Sequence, residues 1–466
     1  MKQPISLTID APLYAQLEQH LFPGDRDEHG AVIAAGIAET GRGTRLLARG
    51  LFLARDGIDY VPGTRGYRAL TPRFVAETVE HCARENLCYL AVHNHGGGDQ
   101  VRFSLQDLAS HRRGYPALLD ITYGGPVGAL VLTPAAAAGD IWTPDGRRSL
   151  SHLRVVGPRA RTLYPAPPRR PDHADPMYDR HARLFGDVGQ AILGGLKVGI
   201  IGLGGGGSLV NEWLARLGIG HIVAIDFDRV ELSNLPRIVG ATRRDAAVGR
   251  YKVDVARRVA RQANPRIRFD AVVGDILDEP TARRLTDVDF LMLASDTIQS
   301  RLVFNALVHQ YLIPGVQIGA KVRTDRTTRQ VTEIHTATRP VLPAAGHGCL
   351  ECHDLIPAAR LSEEALSEGE RRAQRYVEDE TVAEPSVIAL NVLSAGQAVA
   401  DLMLMFTGLY EGIEALPHQL HFVRERALNE VTPHANPTCL DCSTHSRSRR
   451  ARGDRMRLPC RAPSSN

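Results

Sequence analysis

The chain has 466 residues and a formal net charge of +4, with 43 % hydrophobic, 23 % charged and 5 % aromatic residues. That length is too great for one core, so two or three domains are expected. No apolar run approaches the roughly eighteen residues of a membrane span, and no stretch of the body resembles a nucleic-acid-binding module. The first twenty residues, MKQPISLTIDAPLYAQLEQH, lack a secretory pattern, which predicts a cytoplasmic protein.

In chain order, alternating apolar stretches predict strands at Ala31–Ile37, Arg45–Ala54 and Leu87–Val92, with a helix over Pro72–Asn86 between them. A further helix is expected to start at Ser104–His111, followed by strand-like segments ITYGG and GALVLTP. The first 155 residues therefore read as a mixed α+β domain. Its chemistry sits in HNHGGGDQVRFSLQD. His93 and His95 close a predicted strand and share a face, because strand side chains alternate with a period of two. With Asp107 as a third ligand, a fourth position stays open, the arrangement of a catalytic zinc with bound water. A general base must come from elsewhere, and Glu28 before an early strand is the candidate, with Asp27 beside it.

These residues resemble the JAB/JAMM (MPN) metallopeptidase family, whose pattern is an upstream Glu, then HxH, then a Ser and an Asp three residues later. The resemblance implies zinc on His93, His95 and Asp107, a water activated by Glu28, and Ser104 helping to hold the oxyanion. Two departures stand out: glycines replace the proline usual after the second His, and one extra residue separates His95 from Ser104.

Residues 156–175 are rich in proline and arginine and predict a semi-extended linker between domains that move somewhat independently. From 176 to 445 the pattern alternates strand and helix. Strands are expected at Lys197–Ile201, Ile222–Ile225, Ile267–Val273, Phe290–Ala294 and Gly315–Ala320. Helices are expected at Ser208–Leu217 and Lys252–Ala263, and Ser386–Gly408 forms a helix closing the core. The fold class is α/β: a mixed α+β domain followed by a doubly wound, mostly parallel Rossmann-like domain with its ligand at the carboxyl ends of the strands. The turn at Gly202, Gly204, Gly205, Gly206 and Gly207 lets a backbone approach phosphates at a helix N-terminus. Asp226, about twenty residues on, suits a ribose hydroxyl, with Asp228 as the substitute.

That glycine turn, its continuation AIDFDRVELSNLPRIVG, Lys252, LMLASDTIQSR and the upstream MYDRHARLFGDVGQ together resemble the E1-like family of adenylating enzymes (ThiF and MoeB type), over about 176–443. The resemblance implies ATP and magnesium as cofactors. Arg237 and Lys252 would neutralise the triphosphate, Asp296 would hold magnesium, Asn234 would belong to the SNLPR motif, and Arg180 would reach the nucleotide of a neighbouring subunit in a homodimer. Ile238 stands where a Gln is usual.

Seven cysteines include the pairs Cys349/Cys352 and Cys439/Cys442, whose four sulfurs satisfy a structural tetrahedral zinc. His347 and His353 flank the first pair as substitute ligands. The stretch from Cys352 to Pro385 carries no thioester-forming cysteine. Its hydroxyls, Ser362, Ser367 and Thr381, are poor substitutes without a general base. After Ser446 come seven arginines and one aspartate, which predict a solvated, disordered basic tail over 446–466.

These features imply a bifunctional enzyme. One half would adenylate the C-terminal glycine of a ubiquitin-like protein, with an E2-like protein as a further partner, and the other would process or deconjugate it. Activation of a sulfur-carrier protein for cofactor synthesis is the alternative, and an inactive nucleotide-binding scaffold is the alternative of another class.

Overall fold

The computed structural model describes residues 3–62, 68–173, 175–325, 328, 330–344, 346–365, 386–410, 412–432 and 434–461. In the N-terminal half, β1 (Ile5–Asp10), α1 (Ala11–Leu21), β2 (Gly30–Thr40), β3 (Gly43–Leu53), α2 (Pro72–Arg84), β4 (Cys88–Asn94), α3 (Leu105–Ile121), β5 (Val127–Leu132), β6 (Ala137–Thr143), β7 (Gly146–Val156) and β8 (Arg161–Leu163) follow one another. Their sheet runs β1-β3-β2-β4-β5-β6-β7-β8, and β1 also pairs with β7, so the sheet curls onto itself. The central strands are apolar on both faces: Ala31, Val32, Ile33 and Ala35 of β2 are fully buried.

Three sequence expectations change here. ITYGG is not a strand: α3 continues to Ile121, and Tyr123 and Gly124 turn the chain at positive φ. The N-terminal domain does not end at 155, because β8 lies in its sheet and pairs with β7. Residues 5–21 form a strand and a helix that the polar-interrupted sequence did not disclose. Asp10 caps that helix by accepting the Leu13 N–H at 3.0 Å.

The second half contains α4 (Asp179–Gly195), β9 (Lys197–Ile201), α5 (Gly205–Leu217), β10 (His221–Ile225), α6 (Arg243–Ala247), α7 (Lys252–Ala263), β11 (Arg268–Val272), α8 (Glu279–Arg283), β12 (Phe290–Leu293), α9 (Ile298–Tyr311), β13 (Gly315–Thr324), β14 (Val331–Val341), α10 (Ala358–Ala365), α11 (Ile388–Thr407), β15 (His418–Phe422) and β16 (Ala427–Val431). The sheet order is β11-β10-β9-β12-β13-β14-β15-β16, parallel from β11 to β13 and antiparallel beyond. The order reverses between β9 and β12, which opens a crevice at their carboxyl ends. By length and composition α11 could cross a membrane. Here it is a core helix, with Ala395, Ala398, Leu402 and Met405 buried among residues of α5 and the sheet.

The halves are fastened together rather than loosely linked. Asp289, buried at the start of β12, accepts from Arg42 at 2.8 Å, from Arg154 and from the Lys197 N–H at 2.8 Å. Arg45 donates to the carbonyls of Thr286 and Tyr311, at 3.0 and 3.2 Å. Burial alone would raise the Asp289 carboxyl, but Arg154 and Arg42 hold it well below the usual carboxylate range. A depressed carboxyl contributes stability above its unfolded pKa of about 3.9, and that contribution is lost as pH falls through the folded value. Asp289→Asn should therefore lower unfolding stability by about 3 kcal/mol at pH 7. In urea midpoints measured from pH 7 down to pH 2, the gap between variant and parent should narrow only in the most acid samples.

The basic end is not disordered where it is described. Residues 446–461 run along the seam between the halves, with Ser448, Arg450 and Ala451 fully buried. Charge composition predicted solvation because the carboxylates that receive Arg450 and Arg452, on Asp10 and Glu85, lie hundreds of residues away in the chain.

Candidate active sites

The first site forms where β4 and the start of α3 meet. Nε2 of His93 and Nε2 of His95 are 3.2 Å apart. Asp107 Oδ2 lies 3.8 Å from the first and 3.7 Å from the second. Two bonds of about 2.0–2.1 Å from a tetrahedral zinc would span about 3.4 Å, so the donor set fits that ion. Glu28 Oε1 stands 3.8 Å from His95 Nε2. Glu28 and the histidines share one corner because β2 and β4 are antiparallel neighbours, with Gly30 opposite His93. Burial raises the Glu28 carboxyl, the direction a proton acceptor requires.

Ser104 stands beside Asp107 at the start of α3. It is the N-cap of α3, its hydroxyl donates to Asp107 Oδ2 at 2.7 Å, and it accepts the Asp107 N–H at 3.1 Å. Despite burial, the nearby His93 imidazole and the hydroxyl and N–H of Ser104 hold the Asp107 carboxyl far below the ordinary carboxylate range. In this arrangement the Ser104 hydroxyl orients the Asp107 carboxylate. A cleft of about 330 Å³ opens beside His95, lined by Gly96, Gln100, Val101, Arg102, Phe103 and Ser104.

The second site lies at the carboxyl ends of β9, β10 and β12. Gly202 has φ +88°, and Gly204 starts α5 with no side-chain cap, so the first amides of that helix face outward. A Cβ on Gly207 would sit 1.9 Å from the Gly202 carbonyl, which makes glycine obligatory there. Asp226, at the end of β10, accepts the Leu203 N–H at 2.7 Å and the Asp228 N–H at 2.8 Å. Burial raises its carboxyl. Asp228 pairs with Lys252 Nζ at 2.5 Å. Asn234 is buried and accepts the Glu231 N–H at 3.2 Å, so it braces the turn that carries Arg237. Arg237 lies against the glycine turn, its Cβ 3.6 Å from where a Gly205 side chain would begin. Asp296 is exposed in the loop between β12 and α9. Arg180 is exposed on α4.

A profile described as the ThiF family matches residues 178–441, more than half of the chain. The chain belongs to the ThiF family. Among its relatives, the molybdopterin-synthase adenylyltransferase of Escherichia coli K12 is 34 % identical over 143 residues, covering 31 % of this chain and 56 % of that enzyme. The tRNA threonylcarbamoyladenosine dehydratase of the same strain is 31 % identical over 165 residues, covering 35 % of this chain and 61 % of that one. The solved structure of E. coli MccB with ATP superposes with a TM-score of 0.45 at 22 % identity, covering 58 % of this chain and 75 % of that chain. This chain spans about half the length of the curated relatives it matches.

Within the ThiF domain the four paired cysteines converge as expected. Cys349 Sγ is 3.6 Å from the sulfurs of Cys352 and Cys439, and Cys352 Sγ is 3.5 Å from that of Cys442. A tetrahedron with bonds of about 2.3 Å has edges of about 3.8 Å, so the set fits a structural zinc with no open position. His353 is not among these donors; its Nε2 faces the His434 N–H at 3.3 Å. Nor is His347, whose Nε2 lies 3.4 Å from the Glu414 carbonyl.

Two ThiF-domain residues near the crevice escaped the sequence reading. Asn391 of α11 comes so close to the glycine turn that a Gly205 Cβ would be 2.2 Å from its Nδ2. An asparagine near the start of a mostly apolar helix was the available signal. Glu364 of α10 accepts the Ile298 and Gln299 N–H groups, each at 2.9 Å, and so holds the start of α9 just beyond Asp296. Of the hydroxyls named for the preceding stretch, Ser362 donates to the Ala358 carbonyl, while Ser367 and Thr381 lie outside the described residues.

Proposed function

We propose that this chain is a bifunctional enzyme acting on one protein tail. The ThiF domain activates a C-terminal glycine with ATP and magnesium, and the N-terminal domain cuts an amide or isopeptide bond formed by that glycine, as a JAB/JAMM-type zinc hydrolase. The observation that carries the reading is the convergence of Arg237, Asp226 and the Asp228–Lys252 pair around the uncapped start of α5. In the activation step a carboxylate oxygen of the tail attacks the α-phosphorus of ATP. The bond from that phosphorus to the β-bridging oxygen breaks, and pyrophosphate leaves. The α5 amides and Arg237 neutralise the phosphates, Lys252 adds a cation held in place by Asp228, and Asp226 accepts the ribose hydroxyls. Asp296 is the magnesium carboxylate.

At the other site, zinc on His93, His95 and Asp107 would supply a water of lowered pKa and a Lewis acid for the scissile carbonyl. Glu28 takes the proton and returns it to the leaving amine. Ser104 keeps Asp107 ionised and aimed. The cleft beside His95 is where this reading seats the peptide.

A homodimer is part of this reading, with Arg180 of one subunit serving its neighbour's nucleotide. A cytoplasmic setting and an E2-like acceptor also belong to it. The name of the molybdopterin-synthase adenylyltransferase favours sulfur-carrier activation as the second reading. Among the described cysteines outside the clip, Cys82 and Cys88 are buried and Cys460 lies at the domain seam, so the activated tail is handed to a partner in either case. The test is ATP–pyrophosphate exchange by the purified chain with magnesium and a small glycine-terminated carrier protein. Exchange that requires the carrier is expected, and its absence across ubiquitin-like and sulfur-carrier substrates sinks the proposal. A thiocarboxylate product favours sulfur transfer, and a thioester on a separate protein favours conjugation.

A further inference from the structure

The segment that leaves the cysteine clip at Ser443 threads between the two sheets as far as Arg461. On the ThiF side, the Ala451 N–H donates to the His309 carbonyl at 2.8 Å and the Gly453 N–H to the Gln310 carbonyl at 2.9 Å. On the N-terminal side, the Asp454 N–H donates to the Ile37 carbonyl at 2.7 Å, and its carboxylate accepts the Glu39 N–H at 2.7 Å. Two glycines interlock at this crossing. A Cβ on Gly36 would lie 2.0 Å from the Ala451 carbonyl, and one on Gly453 would lie 2.1 Å from that of Ile37.

Side chains continue the pattern. Arg450 is fully buried and pairs with Asp10, the residue that caps α1. It also donates to the Arg49 carbonyl at 3.1 Å. Arg452 reaches Glu85 at 3.0 Å, just past α2. At its base the segment is set by the clip itself. Asp441, between the two C-terminal cysteines, accepts from Asn305 of α9 and orients Arg449, both at 2.5 Å. Ser448 donates to the Ser443 carbonyl at 2.7 Å.

We propose that residues 443–461 are a docking arm, recognised by a groove of the N-terminal domain formed by Asp10, Gly36, Ile37, Glu39 and Glu85, and that zinc in the cysteine clip keeps the arm in its docking shape. The clip cross-links the 349–352 and 439–442 turns. Without the ion that cross-link is lost, Asp441 no longer fixes Arg449, and the arm loses the base from which it enters the seam. The metal of the ThiF domain thus governs attachment of the other domain, at a distance from both candidate active sites. This inference rests on neither proposed activity.

The test is amide hydrogen exchange on the full chain, read at Leu13, which Asp10 caps, and at Glu39, which Asp454 holds. Cys442→Ser should lose one equivalent of zinc and speed exchange at both positions on the order of a hundredfold. Arg450→Met should do the same while retaining all its zinc. His93→Ala, which disturbs only the other donor set, should leave both amides protected. Cys442→Ser that sheds its zinc with the N-terminal amides still protected overturns the proposal. So does unchanged exchange in Arg450→Met, which keeps the question answerable if the cysteine variant does not fold. Equal deprotection by His93→Ala would overturn the assignment to the clip.

Discussion

Glu28→Gln should reduce cleavage of a glycine-terminated fusion by about a thousandfold while the protein keeps its zinc at the histidine site. The substitution preserves size and removes only the ability to accept a proton. The expectation follows from position: Glu28 Oε1 is 3.8 Å from His95 Nε2, while among the described residues His93, His95 and Asp107 form the mutually close donor set there. The glutamate thus stands beside the donor set without belonging to it. The measurement is paired: turnover of the fusion, and metal content of the same sample. If zinc departs together with activity, Glu28 is a ligand and the base lies elsewhere. If turnover persists, proton transfer does not depend on it.

Asp296→Ala should depress ATP–pyrophosphate exchange on the order of a thousandfold and leave fusion cleavage intact. Asp296 follows β12, whose end is tied to β9 by the Ala294 N–H to the Ile201 carbonyl at 2.8 Å. On its other side Glu364 holds the first amides of α9. A carboxylate in a loop pinned at both ends can meet a metal–phosphate complex with little ordering cost. Retained exchange would refute the magnesium assignment. Loss of both activities would mean that the variant damages the seam, where Asp289 sits at the start of the same strand.

The cleanest sequence readings were those in which function is local in the chain. Gly202–Gly207, Asp226, Asp228 and Lys252 fall within one βαβ unit and its immediate continuation, and short-range geometry brings them to one crevice. His93 and His95 share a face for the same reason, and the Asp107 carboxylate follows from one helix start. Glu28 was read from its place before an early strand and from the resemblance, and only the pairing of β2 with β4 shows how it reaches the histidines. For Ser104 the spacing left open what its hydroxyl touches, and the bond to Asp107 is a fact of the fold alone.

What the sequence determined by itself was therefore the ThiF family, the strand–helix alternation, the His93–His95–Asp107 cluster and the four-cysteine set, because each is written in residue type and near-neighbour spacing. Tertiary structure alone decided how the halves are joined. Seven arginines near the end look solvated when counted as charge, yet Arg450 lies buried against Asp10, 440 positions earlier. A buried ion is tolerated only where a specific partner meets it. Composition contains no record of where that partner will be once the chain has folded.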